Sequence, residues 1–415
     1  MSRFTRVVKG EMWVMVMGCV FKHHVYLCVV STAMLAGLSL ITSHTKAYAQ
    51  SQNCTIANSK GDGVVDKPIV CDKGATGMLN TSGGGSEIEI DMSKHPDKEA
   101  VKIMSGANIM IMKKLKVTGM VKGSGPVIKV ERGGKLMLLG EVDVEGVTGM
   151  KKVIMVEGGM VVLGDGVKKV VGKGVEKVIE VNGGGTLMMM GEVEVEGVTE
   201  GININGSKGV EFIGTGKGTL MLNMVEISGF ETGVEATAGT LKMMGTTITV
   251  KRGVGSGNYG VGVGVSGSGT VEMMGTKIVG DGGTGVYMGS SKTLKMTSVG
   301  ISGVEKGVYA TNGRLEMMGG IGFTGDHGVY LDQGGVAFLG EVTIKGSNQR
   351  QEGIKLNGRM VDLYKTNISE VHKGITIRHQ ILSRKTQTQN YPINQFLTDE
   401  CIPLKKYNTK DFYTT

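Results

Sequence analysis

Short runs of alternating apolar and polar residues recur along the middle of the chain. Such a run is typical of a β-strand with one buried face, because successive side chains of a strand point to opposite sides. The first kind of run occurs eleven times, with starts about 25 residues apart, at residues 127–130, 153–156, 178–181, 202–204, 234–236, 261–263, 286–288, 308–310, 329–331, 354–356 and 375–377.

Two further runs follow within each repeat. After a glycine turn comes a second strand, as at residues 136–139, 187–190 and 315–318, and most copies add a third, as at 142–144, 193–195 and 247–249. The alternation predicts that Leu315 and Met317 point inward and that Glu316 points outward. Each repeat therefore contains three short strands separated by Gly, Asn or Ser turns.

Three short strands in about 25 residues predict one coil of a right-handed parallel β-helix of about 11–12 coils, an all-β fold. Helical repeats are excluded, because no unit holds a long stretch with a period of 3.6 residues. Leucine-rich repeats need a fixed Asn or Cys position that is absent, and propeller blades are longer. The predicted organisation is a signal peptide at 1–49, an N-terminal cap and first coil at 50–106, β-helix repeats at 107–377 and a polar tail at 378–415.

Composition agrees with this fold. Glycine is the commonest residue, at 70, and proline occurs only 5 times, without the triplet that collagen requires. Glycine supplies the positive φ of tight turns, and methionine is expected to fill irregular gaps in the core. The long interval after residue 234 predicts a surface loop at 251–257.

The first 49 residues differ from the rest. A basic start precedes an apolar run at residues 25–41, and Ala47-Tyr48-Ala49 is the small-x-small pattern of a signal peptidase site, so the mature chain is expected to begin at Gln50. The alternative is a retained membrane anchor. Removal takes away five Lys/Arg and one Glu, so the formal charge falls from +8 to 8 − 5 + 1 = +4. That charge is too small to predict nucleic-acid binding.

The predicted export determines which oxidation state is expected for the cysteines of the mature chain. Cys54 and Cys71 stand near the new N-terminus, and an oxidising compartment predicts a disulfide between them. A zinc site is the alternative, but it lacks a CxxC spacing or a nearby His pair. Cys401 stands alone near the end.

The signal region, the Cys54–Cys71 pair and the Gly/Val/Met coils together resemble the passenger domains of Gram-negative autotransporters. The resemblance covers residues 1–377 and is greatest to the β-helical surface proteins of Bartonella-like bacteria. It implies export to the cell surface or outer membrane, or secretion. An autotransporter ends in a translocator barrel, and the sequence after Ile377 shows no counterpart, so we expect a passenger that lacks one.

Catalytic motifs are absent from the sequence: no calcium-binding nonapeptide, HExxH, GxSxG or P-loop occurs. The best local candidate is Asp326-His327, between two glycines, which we interpret as a solvated turn between strands. Glu141, Asp143 and Glu145, then Lys168 and Lys169, then Glu192, Glu194 and Glu196 occupy matching stretches of adjacent coils, and this pattern predicts a cross-strand ion ladder rather than an acidic binding face.

Tyr287, Tyr309 and Tyr330 are the outward middle residues of three consecutive first strands. Such a row either binds a partner or stacks on itself to stiffen the sheet, and stacking is favoured. We expect an adhesin-type protein without catalytic activity or cofactor, a monomer whose partner is a host surface protein or glycan. The alternatives are a carbohydrate-active β-helix enzyme resembling pectate lyases, and a truncated non-functional passenger.

Overall fold

The computed structural model describes residues 64–79, 86–119, 125–144, 152–171, 175–196, 207–214, 218–250, 260–347 and 350–377. The chain divides into two compact units, Met1–Gln50 and Ser51–Thr415, and every described residue lies in the second. The described residues form 33 strands and no helix. No helix in this part of the chain has the length and hydrophobicity that crossing a membrane requires.

The strands form a β-solenoid in which each coil contributes one strand to each of three parallel ladders. Three strands are long enough to turn a corner and to contribute to more than one ladder: β27 (Thr293–Ala310), β28 (Arg314–Asp332) and β29 (Val336–Lys345). Every pairing between named strands is parallel, and through β24 each strand pairs with the third strand after it. The parallel β-helix predicted from the repeat is therefore confirmed.

The first ladder carries the first strand of each coil. Its members, besides the ends of β27 and β28, are β2 (Ile69–Cys71), β5 (Val101–Ile103), β8 (Ile128–Glu131), β11 (Lys152–Glu157), β14 (Lys177–Asn182), β17 (Lys208–Phe212), β20 (Thr232–Ala236), β23 (Val261–Val265), β26 (Thr284–Met288), β30 (Glu352–Asn357) and β33 (Lys373–Ile377). Eleven of these thirteen segments lie between residues 128 and 377, as the eleven copies predicted, and two more precede them.

The second ladder holds the starts of β27, β28 and β29 together with β3 (Thr76–Leu79), β6 (Asn108–Ile111), β9 (Lys135–Leu138), β12 (Met160–Leu163), β15 (Thr186–Met190), β18 (Thr219–Asn223), β21 (Thr240–Met244), β24 (Thr270–Met274) and β31 (Met360–Tyr364). The third holds the remaining parts of β27, β28 and β29 with β1 (Val64–Val65), β4 (Glu87–Asp91), β7 (Lys114–Thr118), β10 (Val142–Val144), β13 (Lys169–Val171), β16 (Glu194–Glu196), β19 (Glu226–Phe230), β22 (Thr247–Val250), β25 (Lys277–Gly280) and β32 (Asn367–Ser369).

One predicted copy is misplaced. The run at residues 202–204 lies outside the described residues, and the strand that follows β14 in the first ladder is β17, with Val181 opposite Phe212. β17 in turn pairs with β20, so no place remains for another strand between them. The loop predicted at 251–257 also lies outside the described residues.

The lumen is lined by every second residue, as the alternation predicted. Leu315 and Met317 are at most 1% exposed, while Glu316 points outward and forms an ion pair with Arg314. The core is mostly aliphatic, with Phe212, Phe230 and Phe323 also buried in it, and its columns stack in register from coil to coil. This burial of one face of every strand is the main source of stability that the fold offers.

From β17 onward, the first ladder has a glycine column packed against an isoleucine column of the third ladder. A Cβ on Gly285 would lie 2.6 Å from Cγ2 of Ile301 and 2.7 Å from the carbonyl oxygen of Gly307, so no larger residue fits. The column comprises Gly209, Gly233, Gly262, Gly285, Gly307, Gly328 and Gly353. In earlier coils, the corresponding position holds a buried valine, such as Val153 or Val178.

Candidate binding face on the first ladder

Three tyrosines form a row on the outer surface of the first ladder. Tyr287 lies opposite Tyr309, which lies opposite Tyr330, on consecutive coils. The ring centroids of Tyr309 and Tyr330 are 5.0 Å apart with planes 9° from parallel, and Tyr287 contacts Tyr309 edge-on at 5.7 Å. We call this row the tyrosine ladder. Because Tyr309 and Tyr330 cover each other's faces, their ring edges are left for a partner.

Charged and polar groups continue the ladder. Nζ of Lys355, on the next coil, lies 5.0 Å from the centroid of the Tyr330 ring. The Tyr309 hydroxyl donates to Oδ2 of Asp332 at 3.5 Å, and Asn357 donates to Oδ1 of the same carboxylate at 2.6 Å. Burial and the charge of Asp332 raise the pKa of Tyr309, so its hydroxyl is protonated at neutral pH.

His327 does not lie in a solvated turn, contrary to the sequence interpretation. It belongs to β28, which stays extended through this corner, and its side chain is only 12% exposed. Its Nε2 lies 3.3 Å from Nζ of Lys355, and its Nδ1 lies 3.3 Å from Oε2 of Glu352. We call these three residues the His327 cluster.

Electrostatics keep this imidazole neutral. Burial lowers the pKa of His327, the positive charge of Lys355 lowers it further, and Glu352 only partly opposes them. Nδ1 of His327 and Oε2 of Glu352 are buried and, within the described residues, are not aligned for a hydrogen bond. A neutral imidazole between an ammonium and a carboxylate can accept and return a proton, which general acid–base chemistry requires.

No family model, no curated protein and no solved structure matches this chain. The geometry of the described residues is therefore the basis for assigning a function.

A lysine–glutamate network occupies the N-terminal half of the same ladder. Nζ of Lys152 lies 2.8 Å from Oε1 of Glu180, and Lys177 bridges Glu180 and Glu211 on successive coils. Lys208 likewise bridges Glu211 and Glu235. Burial alone would raise the pKa of Glu180, but Lys152 and Lys177 outweigh it and lower the pKa. The spacing of Lys177 to Glu180 and of Lys208 to Glu211 is the sequence pattern that could have revealed this network.

The ion ladder predicted on the third ladder is present only in part. Nζ of Lys169 lies 3.5 Å from Oε2 of Glu194 and 2.5 Å from Oε2 of Glu196. Asp143 pairs instead with Lys114 of the preceding coil, at 3.0 Å. Alternating charges on successive coils favour the structural interpretation of this surface over an acidic binding face.

The remaining predicted residues lie mostly outside the described part of the chain, among them Ala47, Ala49, Gln50, Cys54 and Cys401. Cys71 is fully buried at the end of β2, and its predicted disulfide with Cys54 stays a prediction. Among the described residues, no three His, Cys, Asp or Glu side chains come together in a way that could hold a metal ion.

Proposed function

We propose that the chain is an exported, passenger-type β-helix protein that acts in adhesion to host surfaces without catalysis. The observation that carries the proposal is the tyrosine ladder, an in-register row of aromatic side chains on the outside of three consecutive coils. Aromatic residues are concentrated at binding surfaces because they offer contact area at a low cost in side-chain entropy.

The geometry of the ladder favours a glycan as the partner. Ring stacking leaves the edges of Tyr309 and Tyr330 outward, beside Lys355, Asp332 and Asn357. This surface offers hydroxyl, amide, carboxylate and ammonium groups along the coil axis, with a repeat of about 4.8 Å. A chain of sugar residues presents hydroxyl groups in a similarly regular row, so that neighbouring coils would bind neighbouring sugars.

Binding can be tested with neutral, sialylated and sulfated host glycans immobilised on beads. Tyr309→Phe removes one hydroxyl and preserves the stack, and we expect it to weaken retention severalfold, whereas Tyr309→Ala should abolish retention. Tyr364→Phe is the matched control, because this tyrosine is 49% exposed, lies at the end of β31 in the second ladder and is outside the tyrosine ladder. Equal retention of the wild type, Tyr309→Phe, Tyr309→Ala and Tyr364→Phe would refute glycan binding by the ladder.

Export is supported by the sequence pattern at residues 1–49. In the native host, we expect the mature chain to begin at Gln50 and to be degraded by protease added to intact cells, or to be found in the medium. A chain that keeps residues 1–24 and stays in the cytoplasm would contradict the proposal.

A second candidate function is a carbohydrate-active enzyme, which the His327 cluster favours. The test is incubation with polygalacturonate and glycosaminoglycans, following unsaturated products by absorbance and new reducing ends by colour reaction. Turnover that is lost in His327→Gln and Glu352→Gln, and kept in the control His372→Gln, would support the enzyme. Absence of turnover with every polymer would leave adhesion as the better proposal.

A further inference from the structure

Three asparagines in the described part of the chain are followed directly by glycine. Asn182 is the last residue of β14, Asn357 is the last residue of β30, and Asn312 is the second residue after β27. In such a pair, the backbone nitrogen of the glycine can attack the side-chain amide of the asparagine, because glycine has no side chain to hinder the approach. Which of the three pairs reacts in the folded protein depends on how each amide is held.

The amides of Asn182 and Asn357 are bound to carboxylates. Nδ2 of Asn182 donates to Oε1 of Glu180 at 3.0 Å, and Nδ2 of Asn357 donates to Oδ1 of Asp332 at 2.6 Å. Both asparagines are half-buried. Within the described residues, neither amide forms a hydrogen bond with the backbone nitrogen of the glycine that follows it. The carboxylates therefore restrain both amides, including the nitrogen that would have to leave.

The amide of Asn312 lies against the backbone nitrogen of the next residue. Asn312 is exposed, and its Oδ1 accepts a hydrogen bond from the backbone nitrogen of Gly313 at 2.8 Å. Because Cγ is bonded to Oδ1 at about 1.2 Å, Cγ lies within about 4 Å of this nitrogen, near the separation of about 3–3.5 Å from which reacting atoms combine. Among the described residues, Nδ2 of Asn312 has no hydrogen-bond partner, so nothing there restrains the leaving group.

The corner that contains this pair is held against the preceding coil. The backbone nitrogens of Thr311 and Arg314 donate to carbonyl oxygens of that coil at 2.8 and 3.1 Å. Gly313 has a φ of +70°, and a Cβ there would lie 2.3 Å from the carbonyl oxygen of Ser290, so only glycine fits. Because the corner is held on both sides, the nitrogen and the amide stay close, which lowers the entropy cost of their reaction.

We propose that Asn312 is a site of spontaneous deamidation. The backbone nitrogen of Gly313 loses its proton to hydroxide and attacks Cγ of Asn312, and the bond between Cγ and Nδ2 breaks. The leaving nitrogen takes protons from water and departs as ammonia, which returns the hydroxide and leaves a cyclic succinimide. Water then opens the ring at either carbonyl carbon and gives aspartate or isoaspartate. The coil that carries Tyr309 thereby gains one negative charge without an enzyme, and water is the only co-reactant.

Peptide mapping by mass spectrometry tests the proposal on the purified full chain, kept folded at pH 8 for increasing times. We expect the amide at Asn312 to be lost about tenfold or more faster than the amides at Asn182 and Asn357. The rate at Asn312 should rise with pH, because the attacking nitrogen must be deprotonated. In concentrated urea, the three pairs lose their different surroundings, and their rates should become similar.

Asn312→Gln is the matched variant, because glutamine keeps an amide at this exposed position but can cyclise only through a larger ring. It should stay unmodified at residue 312, with the rates at Asn182 and Asn357 unchanged. Equal rates at the three asparagines of the folded wild type would overturn the proposal. So would an Asn312 that stays intact in the folded chain over a period in which the same residue is converted in urea.

Discussion

Met317 and Met318 are adjacent residues of one type, and the fold assigns them opposite environments. Met317 is 1% exposed and lies between Met296 and Leu339 of the neighbouring coils, whereas Met318 is 41% exposed. The same substitution, to aspartate, therefore tests the inward and outward alternation directly. Any effect of strand propensity, of net charge or of the unfolded chain is nearly shared by the two variants.

The expected difference follows from burial. Met317→Asp gives up about 1.5–3 kcal/mol of side-chain burial. The new carboxyl must also be held neutral in an apolar lumen, and a pKa raised by about three units costs about 4 kcal/mol at pH 7. The sum, about 6 kcal/mol, is comparable with the whole stability of many domains, so neighbouring coils should open as well. Met318→Asp should change the free energy of unfolding by less than about 0.5 kcal/mol.

Urea unfolding at pH 7 and pH 5 measures the difference in stability between the two variants and its dependence on pH. Hydrogen exchange of β27–β29 shows whether the neighbouring coils open as well. Because the folded-state pKa of the carboxyl introduced by Met317→Asp would lie above its unfolded value, the folded protein binds more protons, and stability is regained as pH falls. The Met317→Asp variant should recover about 2–3 kcal/mol relative to Met318→Asp between pH 7 and pH 5. Equal stabilities of the two variants, or a deficit that does not change with pH, would refute the assignment of Met317 to the lumen.

Three further predictions concern charge and covalent structure. The pKa of His327 is lowered in the folded protein, so its contribution to the free energy of unfolding is full above the unfolded pKa of about 6.5 and is lost as pH falls below that value. In urea unfolding, wild type should therefore lose more stability than His327→Gln between pH 7.5 and 5.5. An equal loss of stability in the two proteins would contradict this. Glu180→Ala leaves two half-buried lysines without their shared carboxylate and should cost about 2–4 kcal/mol in thermal melts, against less than about 0.5 kcal/mol for exposed Glu226→Ala. Non-reducing peptide mapping should recover Cys54 linked to Cys71, and a free Cys54 thiol would count against it.

The repeat was predictable from sequence because two local properties agree in every coil. Alternation defines which residues are inward, and glycine marks the corners, so strand positions follow without long-range information. The sequence prediction placed one copy at residues 202–204 because their apolar positions alternate, whereas the strand that pairs with β14 is β17, which contains the bulky Phe212. What decides between them is pairing with β14, a property of two coils that no single coil reveals.

The candidate sites were predictable only where one residue type repeats. The tyrosine ladder follows from three tyrosines at the same position of their strands. The His327 cluster could not be predicted in this way. The segment Gly325-Asp326-His327-Gly328 has the composition of a turn, but in the structure it is an extended part of β28. Glu352 and Lys355 lie on the next coil, so predicting the cluster requires the register between two coils. A prediction wrong by one residue would have placed both side chains in the lumen.

The glycine and isoleucine columns have a consequence for how the gene can change. From β17 onward, each coil repeats the same close contact between a glycine of the first ladder and an isoleucine of the third, so this part of the packing is the same in every one of these coils. A DNA duplication or deletion that spans one whole coil therefore joins surfaces that already fit. Point changes within the columns have no such freedom, since a Cβ at Gly285 collides with backbone. We expect alleles of this gene to differ in the number of coils more readily than in the residues of these two columns.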